Sequence, residues 1–138
     1  MRKVILDAGP LVAWFCPRDE HFSWARRVFT QLAPGSLVCE AVLTEVCHLV
    51  LKEGVSQARV VESVASGRLI PVSLSSELPS IANLLKRYAD SPMDFADACV
   101  LRLAELQPQA AVCTVDSQFR FFRKNASEAV SLVAPFAS

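Results

Sequence analysis

Short apolar runs that stop at turn chemistry, spaced by stretches of helical periodicity, constrain this chain more than any other feature. Val4-Ile5-Leu6 ends at Asp7-Ala8-Gly9-Pro10, Ser36 to Cys39 follows Pro34-Gly35, and Leu69 to Val72 follows Ser66-Gly67. Ala110 to Val115 ends at Asp116, and Val130 to Val133 lies near the C-terminus. Each run is too short for a helix and is bounded by turn residues, so each reads as a buried strand.

The stretches between them repeat their apolar residues at helical spacing. Pro10 suits the first turn of a helix reaching Cys16. A second helix is expected from His21 to Ala33, with Phe22, Ala25, Val28, Phe29 and Leu32 on one face. Others are expected from Ala41 to Glu53, from a Ser56 cap to Ala65, from Glu77 to Tyr88 and from Asp94 to Leu106. Ser117 to Lys124 reads as a short helix or turn. Apolar strands alternating with helices predict an α/β three-layer sandwich, with a mainly parallel sheet of roughly five strands covered by helices on both faces.

At 138 residues the chain is expected to be one domain, residues 1–138, with no internal repeat or linker. Fourteen basic residues balance fourteen acidic ones, so any binding of a polyanion must rest on a local patch. Hydrophobic residues make up 52%, which is rich for a chain of this size and predicts a buried homodimer surface. The five cysteines never form CxxC and sit in apolar runs, as reduced thiols of a cytoplasmic protein do. The apolar stretch at the N-terminus is broken at Asp7, Gly9 and Pro10, so a signal peptide is not expected. No apolar run is long enough for a membrane span.

An open parallel sheet places its site outside the carboxyl ends of its strands. Asp7 follows the first strand and Asp116 the fourth, more than a hundred residues away in sequence. Either acid alone reads as a turn or a cap; two on one sheet edge weaken that reading. Two more lie on apolar helices, Glu45 among Val42, Val46 and Leu49, and Asp97 on the face of Leu101 and Ala104. An acid beside a packed stripe is costly unless paired, protonated or metal-bound.

Asp94 and Asp97 also have the spacing of an acidic capping pair, so Asp94 reads chiefly as the helix cap. Glu45 could instead pair with a distant base. Carboxylates converging without Cys or an organised His set suit Mg²⁺ or Mn²⁺. Such a site favours hydrolysis of a phosphodiester.

Four segments then resemble PIN domains, a family that includes the ribonuclease toxins of bacterial VapBC-type toxin-antitoxin pairs. They are Val4 to Leu11, Leu43-Thr44-Glu45-Val46, Pro92 to Ala98, and Thr114 to Phe119. The resemblance implies a catalytic set of Asp7, Glu45, Asp97 and Asp116, with Asp7, Asp97 and Asp116 binding Mg²⁺ or Mn²⁺. It also implies a polar accessory at Thr114 and leaves the role of Asp94 open. Many relatives carry another acid two or three residues beyond Asp116, where this chain has Gln118 and Phe119. The function implied is a metal-dependent endoribonuclease acting on RNA and restrained by a small antitoxin protein.

Arg120, Arg123 and Lys124 are the candidate RNA contacts, against the alternative of a solvated basic face. His21 and His48 lack metal-ligand spacing, and Trp14, Trp24, Phe119, Phe121 and Phe122 read as core or interface. Two other functions compete. One is a catalytically silent PIN-like module that binds RNA or protein. The other is a haloacid-dehalogenase-like phosphatase, which expects a second acid where Gly9 stands.

Overall fold

A computed structural model describes residues 2–136 of the chain. Strand β1 (Val4–Leu6) leads into helices α1 (Ala8–Phe15) and α2 (Phe22–Phe29), then β2 (Ser36–Cys39), α3 (Glu40–Lys52), α4 (Gln57–Ala65) and β3 (Leu69–Val72). After a 3₁₀ turn come α5 (Leu78–Arg87), α6 (Phe95–Leu106) and β4 (Ala111–Cys113). The chain finishes with a second 3₁₀ turn at Ser117–Arg120, the strands β5 (Arg123–Lys124) and β6 (Glu128–Ala129), and β7 (Leu132–Val133).

Five strands form one parallel sheet in the order β3-β2-β1-β4-β7, and β5 and β6 pair separately as an antiparallel hairpin. The central register sets Ile5 between Leu37 of β2 and Val112 of β4. All three residues of β1 are fully buried, as a parallel strand must be when helices cover both faces. Each such side chain contributes about 1.5–3 kcal/mol of burial. The expected α/β sandwich with its five-stranded, mainly parallel sheet is the fold observed.

Strand order reverses at β1, with β2 on one side and β4 on the other, so the crevice for a ligand opens beyond the carboxyl ends of β1 and β4. Asp7 and the segment Thr114–Asp116 emerge there. Helix α6 packs on β1, β2 and β4 and against α3, which brings both acid-bearing helices to the same sheet.

The boundaries differ from expectation where tertiary bonds intervene. Helix α1 starts at Ala8 because Asp7 caps it through the Ala8 N–H. Helix α2 stops at Phe29, since Leu32 and Ala33 are drawn into bridging and hydrogen bonding with Arg2 at the sheet. Strand β4 ends at Cys113 rather than Val115, although the Thr114 N–H still bonds the Val133 carbonyl. Among the described residues no helix is long and apolar enough to cross a membrane.

Candidate active site

Asp7 is the centre of the site and is buried, at 6% exposure. Its Oδ1 accepts the Ala8 N–H at 2.9 Å, and its Oδ2 accepts the Thr114 hydroxyl at 2.7 Å. The same Thr114 oxygen accepts the Asp116 N–H at 2.9 Å, so one fully buried hydroxyl ties the end of β1 to the loop after β4. Asp116 in turn caps the 3₁₀ turn, its Oδ1 taking the Gln118 N–H at 2.9 Å.

Asp94 and Asp97 close a reciprocal capping box at the start of α6. Asp94 Oδ1 accepts the Asp97 N–H at 2.8 Å and Asp97 Oδ2 accepts the Asp94 N–H at 3.1 Å. The sequence offered the cap and the acidic site as rival roles for this pair. The structure shows the cap for both, and the electrostatics place both beside the other acids.

Three of the acids titrate high. Burial raises Asp7 above the usual carboxylate range, its hydrogen bonds from Thr114 and Ala8 oppose this, and the charges of Asp116 and Asp94 raise it further. Burial also pushes Asp97 up to about 7, opposed by its bond from the Asp94 backbone and reinforced by the charges of Asp94, Asp7 and Asp116. Partly buried Glu45 is raised first by desolvation and then by Asp7, Asp94 and Asp116. The charges acting on these three come from Asp7, Asp94 and Asp116, so five carboxylates from four parts of the chain share one field.

Among the described residues no group of three or more Asp, Glu, His or Cys side chains is already arranged to hold a metal ion. The acids are neighbours held apart by local bonds, Asp7 to Thr114, Asp97 to the Asp94 backbone and Asp116 to Gln118. Their donor set nonetheless suits a hard divalent cation, being oxygen throughout and carrying repulsion that a cation would relieve. A cavity of about 420 Å³ lined by Leu11, Trp14, Phe29, Leu32 and Arg68 contains none of these acids. The acidic site is an open sheet edge rather than that cavity.

Gly9, read in the sequence as turn chemistry and as the place of a missing acid, is also a positioning residue. A Cβ there would clash with Val115 Cγ2, so glycine lets α1 approach the Thr114–Asp116 segment without displacing that side chain. That contact leaves no room for the second acid a haloacid-dehalogenase-like site expects. The signal in sequence was the run Asp7-Ala8-Gly9-Pro10 itself.

The three candidate RNA contacts separate. Lys124 is buried and its Nζ pairs with Glu128 at 3.2 Å, which gives it a structural role in the β5–β6 hairpin. Arg123 turns its guanidinium onto the carbonyls of Arg120 and Phe122. Arg120 stays exposed. His21 meets Glu20 at 3.4 Å, and neither His21 nor His48 belongs to the acidic field.

Known structures share this architecture. The VapC20 toxin of Mycobacterium tuberculosis, described as a sarcin-ricin loop cleaving toxin, superposes with a TM-score of 0.74 at 15% identity, covering 80% of this chain and 87% of that one. A toxin-antitoxin complex from Klebsiella pneumoniae gives 0.66 at 16% identity, covering 84% and 88%. FitAB bound to the IR36 DNA fragment gives 0.66 at 17%, covering 98% and 96%. No curated protein matches the sequence significantly. The PIN domain family matches residues 4–125, a span that contains Asp7, Glu45, Asp94, Asp97 and Asp116, and the chain belongs to that family.

Proposed function

We propose that this chain is a divalent-metal-dependent endoribonuclease, the toxin of a toxin-antitoxin pair, acting in the cytoplasm on RNA. The observation that carries the reading is the shared field of Asp7, Glu45, Asp94, Asp97 and Asp116 at the strand-order reversal of a parallel sheet. Uncompensated acids in such a place cost stability, and a site for Mg²⁺ or Mn²⁺ gives that cost a use. Asp7, Asp97 and Asp116 would hold the ion, Glu45 would act beside them, and Thr114 keeps Asp7 and Asp116 in register. When bound, such an ion supplies charge neutralisation and a lowered water pKa for phosphodiester hydrolysis.

The residues themselves do three things. Asp7 is oriented by two hydrogen bonds, one to each carboxylate oxygen. Asp97, whose pKa burial raises to about 7 without a cation, would give up its proton on taking one, which couples ion binding to pH. The capping box fixes the start of α6, which sets where Asp97 stands.

The antitoxin partner is supported by the toxin-antitoxin neighbour of the same fold. A homodimer is supported by exposed Leu51, Val61, Ile70 and Leu78, each at 47% exposure or more. Incubating the purified chain with single-stranded RNA tests the activity. Cleavage is expected with Mg²⁺ or Mn²⁺ and none in EDTA; cleavage that persists in EDTA removes the reading.

A further inference from the structure

The run Phe119-Arg120-Phe121-Phe122 follows Asp116 directly, and its side chains divide sharply. Phe119 and Phe122 are buried, in edge-to-face contact with ring centroids 5.1 Å apart, and Phe122 meets Tyr88 in the same way. These two rings anchor the segment to the core. Phe121 is left 63% exposed, far more than a ring of its size would be if packing decided its position.

A second exposed ring comes from the segment after β7, the parallel neighbour of β4. Phe136, beyond β7 and 36% exposed, faces the same guanidinium as Phe121. Arg120 Cζ lies 5.7 Å from the Phe121 centroid and 5.4 Å from that of Phe136. A cation flanked by two exposed aromatic faces is thus assembled from segments that meet only in the fold. Arg120 makes no ion pair among the described residues, and its Nε only touches the Ser117 carbonyl at 3.4 Å.

We propose that Phe121, Arg120 and Phe136 form a stacking subsite for an unpaired base of single-stranded RNA, adjacent to the acidic site. The inference rests on the ribonuclease reading and adds how that site holds its substrate. Aromatic faces and a guanidinium accept any unstacked base, and the free guanidinium donors can reach the neighbouring phosphate. Arg120 ends the 3₁₀ turn that Asp116 caps, which keeps the subsite beside that acid.

The surrounding charge argues for this occupant. The acids repel a polyanion and the chain has no net positive charge, so the substrate needs a local hold beside the site. Arg123 and Lys124 are committed to carbonyls and to Glu128, and Arg120 is the cation of this segment left for the task. Stacking supplies affinity that net charge does not.

The test is fluorescence anisotropy of a short fluorescein-labelled single-stranded RNA with the full chain in EDTA. Phe121→Ala and Phe136→Ala are each expected to weaken binding about tenfold, while Phe121→Trp retains it. Phe121→Leu keeps bulk without a π face and is expected to behave as Phe121→Ala, which separates stacking from misfolding. Leu106→Ala, another exposed apolar residue, is expected to leave RNA binding unchanged. On RNA made abasic at the contacting position, the parent is expected to bind as weakly as Phe121→Ala on intact RNA, and Phe121→Ala to lose nothing more.

Equal affinity of parent and Phe121→Ala, with the parent cleaving RNA once Mn²⁺ is supplied, overturns the subsite and leaves the ribonuclease reading standing. Unchanged RNA affinity with loss of self-association in sedimentation overturns it in favour of a protein interface. A parent that neither binds nor cleaves RNA removes both.

Discussion

Thr114 donates a 2.7 Å hydrogen bond to Asp7 across 107 residues of sequence, and its oxygen also receives the Asp116 N–H. One buried hydroxyl therefore satisfies a carboxylate on one strand and a backbone donor beyond another. Thr114→Val keeps the shape and removes both bonds. Loss of stability by about 1–3 kcal/mol is expected from the unsatisfied groups, with cleavage falling as well. Thr114→Ser should restore most of both. Urea unfolding and RNA cleavage check this, and a Val variant as stable and active as the parent would show the bridge to be incidental.

Gly9 and Val115 form a steric pair that holds α1 against the same loop. Gly9→Ala forces Val115 to move and is expected to cost about 1–3 kcal/mol by overpacking, with reduced cleavage. Val115→Ala frees the space, so the double variant should recover much of the loss. Additive effects in that cycle would mean that the two residues act independently.

The β5–β6 hairpin turns at Asn125 and Ala126, with φ of 50° and 70°, and the Ser127 N–H bonds the Lys124 carbonyl. Both central residues are left-handed, a conformation that costs Ala more than Asn. Ala126→Gly is expected to stabilise the chain by up to about 1 kcal/mol, read as a higher melting temperature with cleavage unchanged. A lower melting temperature would contradict this turn geometry.

Much of this architecture was legible in the sequence. The strands Val4–Leu6, Ser36–Cys39 and Leu69–Val72 were read with their observed bounds, because apolar runs between turn residues leave little choice. The acids Asp7, Glu45, Asp97 and Asp116 stood out for being set at strand ends or among apolar neighbours. The β5–β6 hairpin did not stand out, because two-residue strands carry no periodicity. Nor did the burial of Lys124, which depends on Glu128 across that hairpin. Phe119, Phe121 and Phe122 looked alike in sequence; only the 3₁₀ turn after Asp116 sends Phe121 outward and the other two inward.

Asp97 also gives a pH dependence of stability. Its folded pKa is raised from 3.8 to about 7, so within that window the folded chain binds more protons than the unfolded one. Stability from this group is therefore greatest at the acid end and is lost as pH rises toward about 7. Asp7 and Glu45 shift in the same direction. In EDTA the urea midpoint of Asp97→Asn, compared with the parent, should gain most at the upper end of the window. An advantage that shrinks with rising pH would refute the assigned direction.

The most direct measurement is stabilisation by metal, taken on the parent, Asp97→Asn and Asp94→Asn. Asn is nearly the size of Asp and still accepts a capping hydrogen bond, so either variant keeps most of the box at the start of α6. What Asn lacks is charge for a cation. The account predicts that Mn²⁺ raises the melting temperature of the parent, that Asp97→Asn loses most of that rise, and that its RNA cleavage falls by roughly a hundredfold or more. Asp94→Asn should retain more of each. Asp97→Asn cleaving RNA at the parent rate, with the parent's full metal-induced rise, would leave Asp97 a helix cap and contradict the metal site at the sheet edge.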